Sequence, residues 1–330
     1  MNDDIRICMI GAGNLSTRRI YPNLGAAGAE LVGIADIDQA KRERNARRFG
    51  GTPYEDWEQM LEEKKPDGVI ICIGPEQHPV FAQRVLRKGF PVYTEKPPAT
   101  DAATALEVAR TANETGLLCM TAFKKRYTGA ADRARAWLAE YPEEDRLSIS
   151  ADYCSAPYSH QSPRSSFLLD FAIHMIDLVP YLFGEVSEVF AFSRGLDAFA
   201  VSLRFSNGAV GSLNLNCGRS FNIPTEEIEL TVKDGNFMTI HNSATWRISK
   251  DGKPMEWREP PTFTSAGDSG MDTGHLAEIQ DYVAALREGR QTRSAIYESY
   301  KSMVVYEAIA VSAESGQVVE LEYEDVIRNE

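Results

Sequence analysis

Three residues of this chain have the types and spacing for acid–base chemistry: Lys96, Asp170 and His174. Lys96 lies in Glu95-Lys96-Pro97, directly after the apolar run Phe90-Pro91-Val92-Tyr93-Thr94, so it reads as a lysine at a strand end. Asp170, His174 and Asp177 are spaced i, i+4, i+7, which in a regular helix puts them on one face. That helix is expected to begin near Leu168. Its surroundings, Phe167-Leu168-Leu169 and Ile173-Met175-Ile176-Leu178, are apolar, and polar groups on a buried helix need partners. A lysine at a strand end with an acid and a histidine on a helix suits proton transfer beside a nicotinamide.

The elements that would place such a cofactor come first in the chain. The apolar run Arg6 to Ile10 is followed by Gly11-Ala12-Gly13-Asn14-Leu15-Ser16 and then by a helical stretch to about Ala26. Gly11 permits a tight turn, Gly13 permits close approach of a pyrophosphate, and the helix N-terminus attracts the phosphates. The third position of this fingerprint is Ser16 instead of glycine, which weakens the match. Asp36 strengthens it: an acid ending the second strand can receive the adenosine ribose hydroxyls. No arginine follows at once to take a 2′-phosphate, and Lys41 and Arg42 read as solvated. NAD is therefore expected before NADP, with Gly11, Gly13, Asn14, Leu15 and Asp36 around it.

Strand and helix patterns alternate from residue 6 to about 121, with a continuous apolar run from Asp67 to Ile73. That rhythm predicts a doubly wound parallel sheet, an α/β Rossmann domain over 1–122. After it come a helix over Thr128–Glu140, a strand over Arg146–Tyr153, a loop over Cys154–Ser166 and the Asp170 helix. Six alternating segments follow between Val186 and Ile248, with Asn207-Gly208 and Asp234-Gly235 as hairpin signals. Asp251 to Met271 reads as loop, and Thr273–Glu288 and Ile296–Glu314 as amphipathic helices. Residues 123–330 are thus expected to form an α+β domain with a large, mostly antiparallel open sheet that binds substrate and self-associates.

Composition narrows the function further. The 330 residues carry a net charge of −13, the wrong sign for nucleic acid or an anionic membrane. No apolar stretch approaches a membrane span, and the acidic start lacks the basic region of a signal peptide. The 5 cysteines include no C-x-x-C pair and read as reduced core residues of a cytoplasmic protein. His160, His241 and His275 have no metal-ligand spacing, so no metal is expected.

With Gly11-Ala12-Gly13-Asn14, Ile73-Gly74-Pro75-Glu76-Gln77-His78, Glu95-Lys96-Pro97 and the run Leu169 to Asp177, the chain resembles the Gfo/Idh/MocA oxidoreductases. Ala313-Glu314-Ser315-Gly316 is similar to that family's closing helix. The chain departs from the usual pattern at Ser16 and at Gly74-Pro75. The resemblance covers essentially the whole chain. It implies a dehydrogenase acting on a secondary hydroxyl of a sugar, cyclitol or related polyol. Lys96 would reach the substrate hydroxyl and the nicotinamide ribose, His174 would exchange the hydroxyl proton, and Asp170 would orient Lys96 or the substrate. Ile73, His78 and Glu95 would join the cofactor site. Substrate contacts would come from Lys124, Arg126 and Tyr127 and from Tyr158, His160 and Arg164 in the long loop.

Plainer readings stand beside these. Lys124–Tyr127 also reads as an exposed basic turn, Asp177 as a structural hydrogen-bonder, and His78 as a helix N-terminal residue. His275 reads either as a substrate contact or as an ordinary helix residue. Two rival functions are transient oxidation assisting elimination or glycoside cleavage without net redox, and a silent NAD-binding regulator. A homodimer or homotetramer is expected. The family resemblance, with a second proline following, implies a cis Lys96–Pro97 bond.

Overall fold

The computed structural model describes residues 4–156, 167–220, 222–260 and 273–326. The chain divides into two compact units. The first takes the described residues up to Lys124, with His275–Tyr300 and the end of the chain from Asp325; the second takes Lys125–Gly274 and Lys301–Glu324. Among the described residues no helix is long and apolar enough to cross a membrane.

In the first unit the apolar runs form β1 (Ile5–Ile10), β2 (Ala29–Ala35), β3 (Thr52–Tyr54), β4 (Gly68–Ile71), β5 (Val92–Thr94) and β6 (Cys119–Thr121). They make a six-stranded sheet in the order β3-β2-β1-β4-β5-β6, and every pairing is parallel. Every residue of β4 is buried, as a strand covered on both faces requires. The intervening helices start where acids can cap them. Asp101 accepts the Thr104 amide at 2.7 Å, and Gly116 closes that helix at φ 67°. The strand order reverses between β1 and β4, and ligands of such sheets bind outside the carboxyl ends there. β3 was not expected. It has three residues, follows Gly50-Gly51 and contains Pro53; as an edge strand it can accommodate the proline.

The helix His275–Glu288 packs in this first unit, although a single division at residue 122 puts it in the later domain. The Tyr282 hydroxyl accepts from the Val69 amide at 3.2 Å and donates to the Pro91 carbonyl at 3.0 Å. Arg287 donates to the Gly28 carbonyl at 2.9 Å. Amphipathic periodicity shows that a helix has a buried face, not which sheet that face meets.

The second unit is built on β7 (Arg146–Cys154), β8 (Val186–Arg194), β9 (Ala198–Phe205), β10 (Val210–Asn216), β11 (Thr225–Val232), β12 (Asn236–His241), β13 (Thr245–Lys250), β14 (Lys253–Arg258) and β15 (Val319–Glu320). The nine-stranded order is β14-β13-β12-β11-β7-β10-β9-β8-β15. All pairings are antiparallel except β7 with β10. β9 alternates buried and exposed residues, the mark of a sheet with one covered face. Asp234 and Gly235 both have positive φ, 62° and 71°, as a two-residue hairpin turn demands. β14 replaces part of the loop expected from Asp251. Its residues Lys253-Pro254-Met255-Glu256-Trp257-Arg258 lack apolar alternation because it is an edge strand with an irregular register.

The Asp170 segment also differs from the expected regular helix. Leu168–Ala172 is a π-turn, and the α-helix runs over Ile173–Phe183. The wider turn interrupts the regular α-helical spacing between Asp170 and Asp177. Asp177 points elsewhere: its carboxylate takes a two-pronged contact from Arg126, Nε at 2.9 Å and Nη2 at 2.7 Å, and the Ser302 hydroxyl at 2.7 Å. Arg126 and Asp177 are 3% and 0% exposed, and the guanidinium lies 4.7 Å from the Tyr181 ring centre. Removing one partner of a buried pair strands the other charge. Asp177→Ala should therefore lower unfolding stability by about 3–5 kcal/mol. A double Arg126→Met, Asp177→Leu variant should recover most of that loss in denaturant titrations.

Candidate active site

The glycine turn after β1 is shaped by a backbone contact. Gly11 has φ 106°, and a Cβ there would lie 2.1 Å from the Cys72 carbonyl oxygen. No other residue type fits that approach. A Cβ on Gly13 would meet nothing within 4 Å, so the turn is closed beneath Gly11 and open at Gly13. Asn14 and Leu15 are exposed at its head. Ser16, the doubtful third position, is fully buried, and its hydroxyl donates to the Gly13 carbonyl at 3.1 Å. A small side chain there still lets the helix approach the sheet, so the serine is accommodated.

Asp36 is tied to the same turn. Its Oδ2 accepts the Ala12 amide at 2.7 Å and its Oδ1 accepts the Asp38 amide at 2.8 Å. Each carboxylate oxygen keeps a further lone pair for a hydroxyl donor. Arg42 is not solvated as expected. Its side chain is 12% exposed, and it donates to the Asp36 carbonyl at 3.0 Å and pairs with Glu55 at 3.3 Å. Asn45, which the sequence did not single out, is fully buried. It donates to the Ala12 carbonyl at 3.2 Å and accepts from Thr17 at 3.0 Å.

Lys96 follows β5. The Glu95 amide donates to the Ile71 carbonyl at 2.9 Å, and the Lys96 amide donates to Glu95 Oε2 at 3.2 Å. The Lys96–Pro97 bond is cis, as expected. The Pro97 carbonyl accepts a hydrogen bond from His78 Nδ1 at 2.8 Å. His78 opens the helix His78–Arg87 and is 1% exposed. Its ring therefore braces the Lys96 segment. Burial pulls its pKa down to about 4, with the Lys96 charge acting the same way and the Pro97 carbonyl opposing. Ile73 is half-buried beyond β4.

The basic turn Lys124–Tyr127 splits. Lys124 is half-buried in the first unit. Lys125, which the sequence did not single out, pairs with Glu226 and donates to the Ser243 hydroxyl at 3.1 Å. Arg126 is engaged by Asp177 through Nε and Nη2 inside the second unit. Tyr127 is 2% exposed and likewise does not form an exposed basic turn. Asp170 and His174 are buried, at 9% and 7% exposure. Between them Phe171 stacks on Tyr153 at 4.5 Å, fixing the π-turn to the sheet. Tyr158, His160 and Arg164 lie outside the described residues. His275 is buried at the start of its helix in the first unit. Sequence reasoning also passed over Glu278, three residues on, whose only sign was an acid on an apolar helical stripe with Ile279 and Tyr282.

The profile described as "Oxidoreductase family, NAD-binding Rossmann fold" matches residues 5–123, and its companion "C-terminal alpha/beta domain" matches 158–321. The chain belongs to the Gfo/Idh/MocA oxidoreductase family. Within that family it is 23% identical to D-apiose dehydrogenase of Paraburkholderia graminis, over 95% of this chain and 88% of that protein. It is 24% identical to inositol 2-dehydrogenase of Acidothermus cellulolyticus, over 96% and 94% of the two chains. Its fold matches a levoglucosan dehydrogenase solved with NADH and levoglucosan at a TM-score of 0.85, with 20% identity, covering 96% and 99% of the chains.

This Gfo/Idh/MocA chain is an NAD-binding dehydrogenase, and its own geometry fits NAD. The Gly11 turn is closed by backbone and open at Gly13, where a phosphate needs room, and Asp36 is held rigidly with acceptor capacity to spare. Calorimetric titration should show NAD bound clearly tighter than NADP, and Asp36→Ala should narrow that preference at least ten-fold.

His78 predicts a pH effect on stability. Its folded pKa, about 4, lies below the usual ~6.5, so the unfolded chain binds the proton first. The stability present above pH ~6.5 is then lost as pH falls toward 4. The raised pKa values of Glu95 and Glu278 act with the opposite sign, so the effect is isolated by comparison with His78→Gln. Between pH 7 and pH 5 the wild-type advantage over that variant should shrink by roughly 2 kcal/mol in urea titrations.

Proposed function

We propose that the protein oxidises a secondary hydroxyl of a sugar, cyclitol or related polyol, with Lys96, Asp170 and His174 as its catalytic residues. The observation that carries this is the seating of Lys96. It lies two residues beyond β5, braced through Glu95 and through the His78–Pro97 contact, on the unit that carries the Gly11 turn and Asp36. NAD supplies the hydride acceptor when bound.

In this reading His174 takes the hydroxyl proton as the carbinol carbon gives up its hydride, because a histidine exchanges protons near neutral pH. The Lys96 ammonium holds the hydroxyl oxygen and stabilises the negative charge that grows on it. Asp170 orients the substrate or Lys96 from the π-turn fixed by the Phe171–Tyr153 stack. Ile73, Glu95 and Lys96 complete the cofactor set, and His78 serves it through Pro97. Lys124 contributes a substrate contact. Residues 1–122 carry the cofactor, and 123–330 carry substrate binding and self-association as a homodimer or homotetramer. The sugar and cyclitol in the names of the relatives support the substrate class, with a neutral hexose or inositol as the leading candidate.

Lys96→Ala and His174→Ala should each lower kcat by about 10²–10⁴ while NAD affinity changes little. Near wild-type turnover in either folded variant would remove that residue from the mechanism. The substrate is found by following NADH across sugars and cyclitols, then placing deuterium on single carbons and looking for it in the reduced cofactor. Exchange of label without net NADH would identify transient oxidation. Neither signal with any polyol would identify a regulator.

A further inference from the structure

Two carboxyl groups are sealed in the first unit: Glu95, which braces Lys96, and Glu278, to which the mechanism gives no role. Glu95 is 6% exposed and Glu278 is 1% exposed. Their juxtaposition follows from the elements. Tyr93 and Glu95 are two residues apart at the end of β5, so they continue one side of the strand. Glu278 and Tyr282 are one turn apart on the helix His275–Glu288, so they share a helical face. Tyr93 and Tyr282 meet edge to face, with ring centres 5.6 Å apart. Tyr282 is pinned to the sheet by Val69 and Pro91. With that rung fixed, Glu278 stands one helical turn from Tyr282, within reach of the charge of Glu95.

The two carboxyls are not equivalent. Glu95 Oε2 accepts the Lys96 amide at 3.2 Å. Lys96 and Lys124 both exert their charge on Glu95. Among the described residues, no donor stands in hydrogen-bond geometry to Glu278 Oε2; the Tyr93 hydroxyl approaches the carboxyl without reaching that geometry. A buried, ionised oxygen with no donor is costly, and two ionised carboxylates side by side in a dry site are costlier still. A carboxylic acid held neutral by an apolar site is the stable alternative. Burial raises both groups above the ordinary carboxylate range, Glu278 the further, with Glu95 adding to the effect on it. Among the described residues, Tyr93 on β5 and Cys72 after β4 also face the pair, both neutral because burial pushes them up.

We infer that Glu278 is a neutral carboxylic acid at physiological pH, that Glu95 is the single carboxylate of this cluster, and that Glu278 is thereby a positioning residue for Lys96. A neutral Glu278 adds no charge beside Lys96 and Lys124, and Lys96 serves the oxygen of a hydroxyl losing its proton. An ionised Glu278 would draw both lysines inward. This rests on the role proposed for Lys96.

The test uses the full chain with NAD bound and needs no substrate. Infrared difference spectra at pH 7, wild type minus Glu278→Gln, should contain the carbonyl band of a protonated carboxylic acid that shifts in D2O. In parallel, Lys96 is acylated across a pH series and its peptide quantified by mass spectrometry. Because glutamine replaces a neutral acid, the midpoint for Lys96 should move by less than about 0.3 unit. Absence of the acid band, or a midpoint lowered by a unit or more, overturns the inference by showing an ionised Glu278. If Glu278→Gln does not fold, ¹³C spectra of carboxyl-labelled glutamate in the wild type must show one side chain still protonated above pH 7, and their failure to do so also overturns it. Once a substrate is known, Glu278→Gln should keep kcat within about three-fold, while Glu278→Ala loses ten-fold or more with KM unchanged. Failure of the proposed function would appear separately, as Lys96→Ala without effect or no turnover of any polyol.

Discussion

A carboxylate held almost wholly out of water at the end of a parallel strand constrains the first unit. Glu95 cannot sit there uncompensated, and what surrounds it follows from that requirement. Its side chain takes the next amide in the chain, its own amide closes onto Ile71, and the charges of Lys96 and Lys124 act on it. The strand end must stay where these groups can reach it. Tyr282 secures the neighbouring backbone from a helix that joins the unit late in the chain, and His78 secures the Pro97 carbonyl just beyond. The placement of Lys96 is therefore a consequence of burying Glu95.

The second unit solves a similar problem by ion pairing. Lys124, Lys125 and Arg126 are adjacent in sequence, yet the 3₁₀ turn they form sends successive side chains in different directions. Lys125 goes to Glu226 and Ser243 beneath the Tyr153 ring, and Arg126 goes to Asp177. Tyr153 in turn stacks on Phe171, next to Asp170. Two buried pairs thus hold the segment that presents the acid and the histidine. Such pairs add little net stability over apolar packing, but breaking either is costly, so they fix position more than they stabilise.

The family follows from the fold and the profile; the reaction rests on side chains. A parallel sheet with a glycine turn accommodates many chemistries, and the open sheet behind it still more. What narrows the choice is the combination of Asp36 tied to the turn, a braced Lys96 and a buried acid and histidine on the second unit's helix. The sugar and cyclitol dehydrogenases among the relatives set the class within which the substrate is sought.

The sequence alone determined whatever depends on neighbours a few residues apart. The alternating apolar runs yielded the parallel sheet. Gly11, Gly13 and Asp36 marked the dinucleotide turn, Asp101 and Gly116 bounded their helix, and Asp234-Gly235 formed its hairpin. Lys96, Asp170 and His174 stand out as candidates because their types and spacing are unusual in apolar surroundings. Tertiary structure alone decided which charges meet. Arg126 and Asp177 are 51 residues apart, Lys125 and Glu226 are 101 apart, and Tyr282 reaches back 213 residues to Val69. Periodicity records burial but not the partner. For that reason Glu278 could pass for an ordinary helix acid, and the helix His275–Glu288 for part of the other unit. The π-turn at Asp170 escaped for a related reason: no local spacing announces it, and the Phe171 within it stacks on Tyr153 of another element.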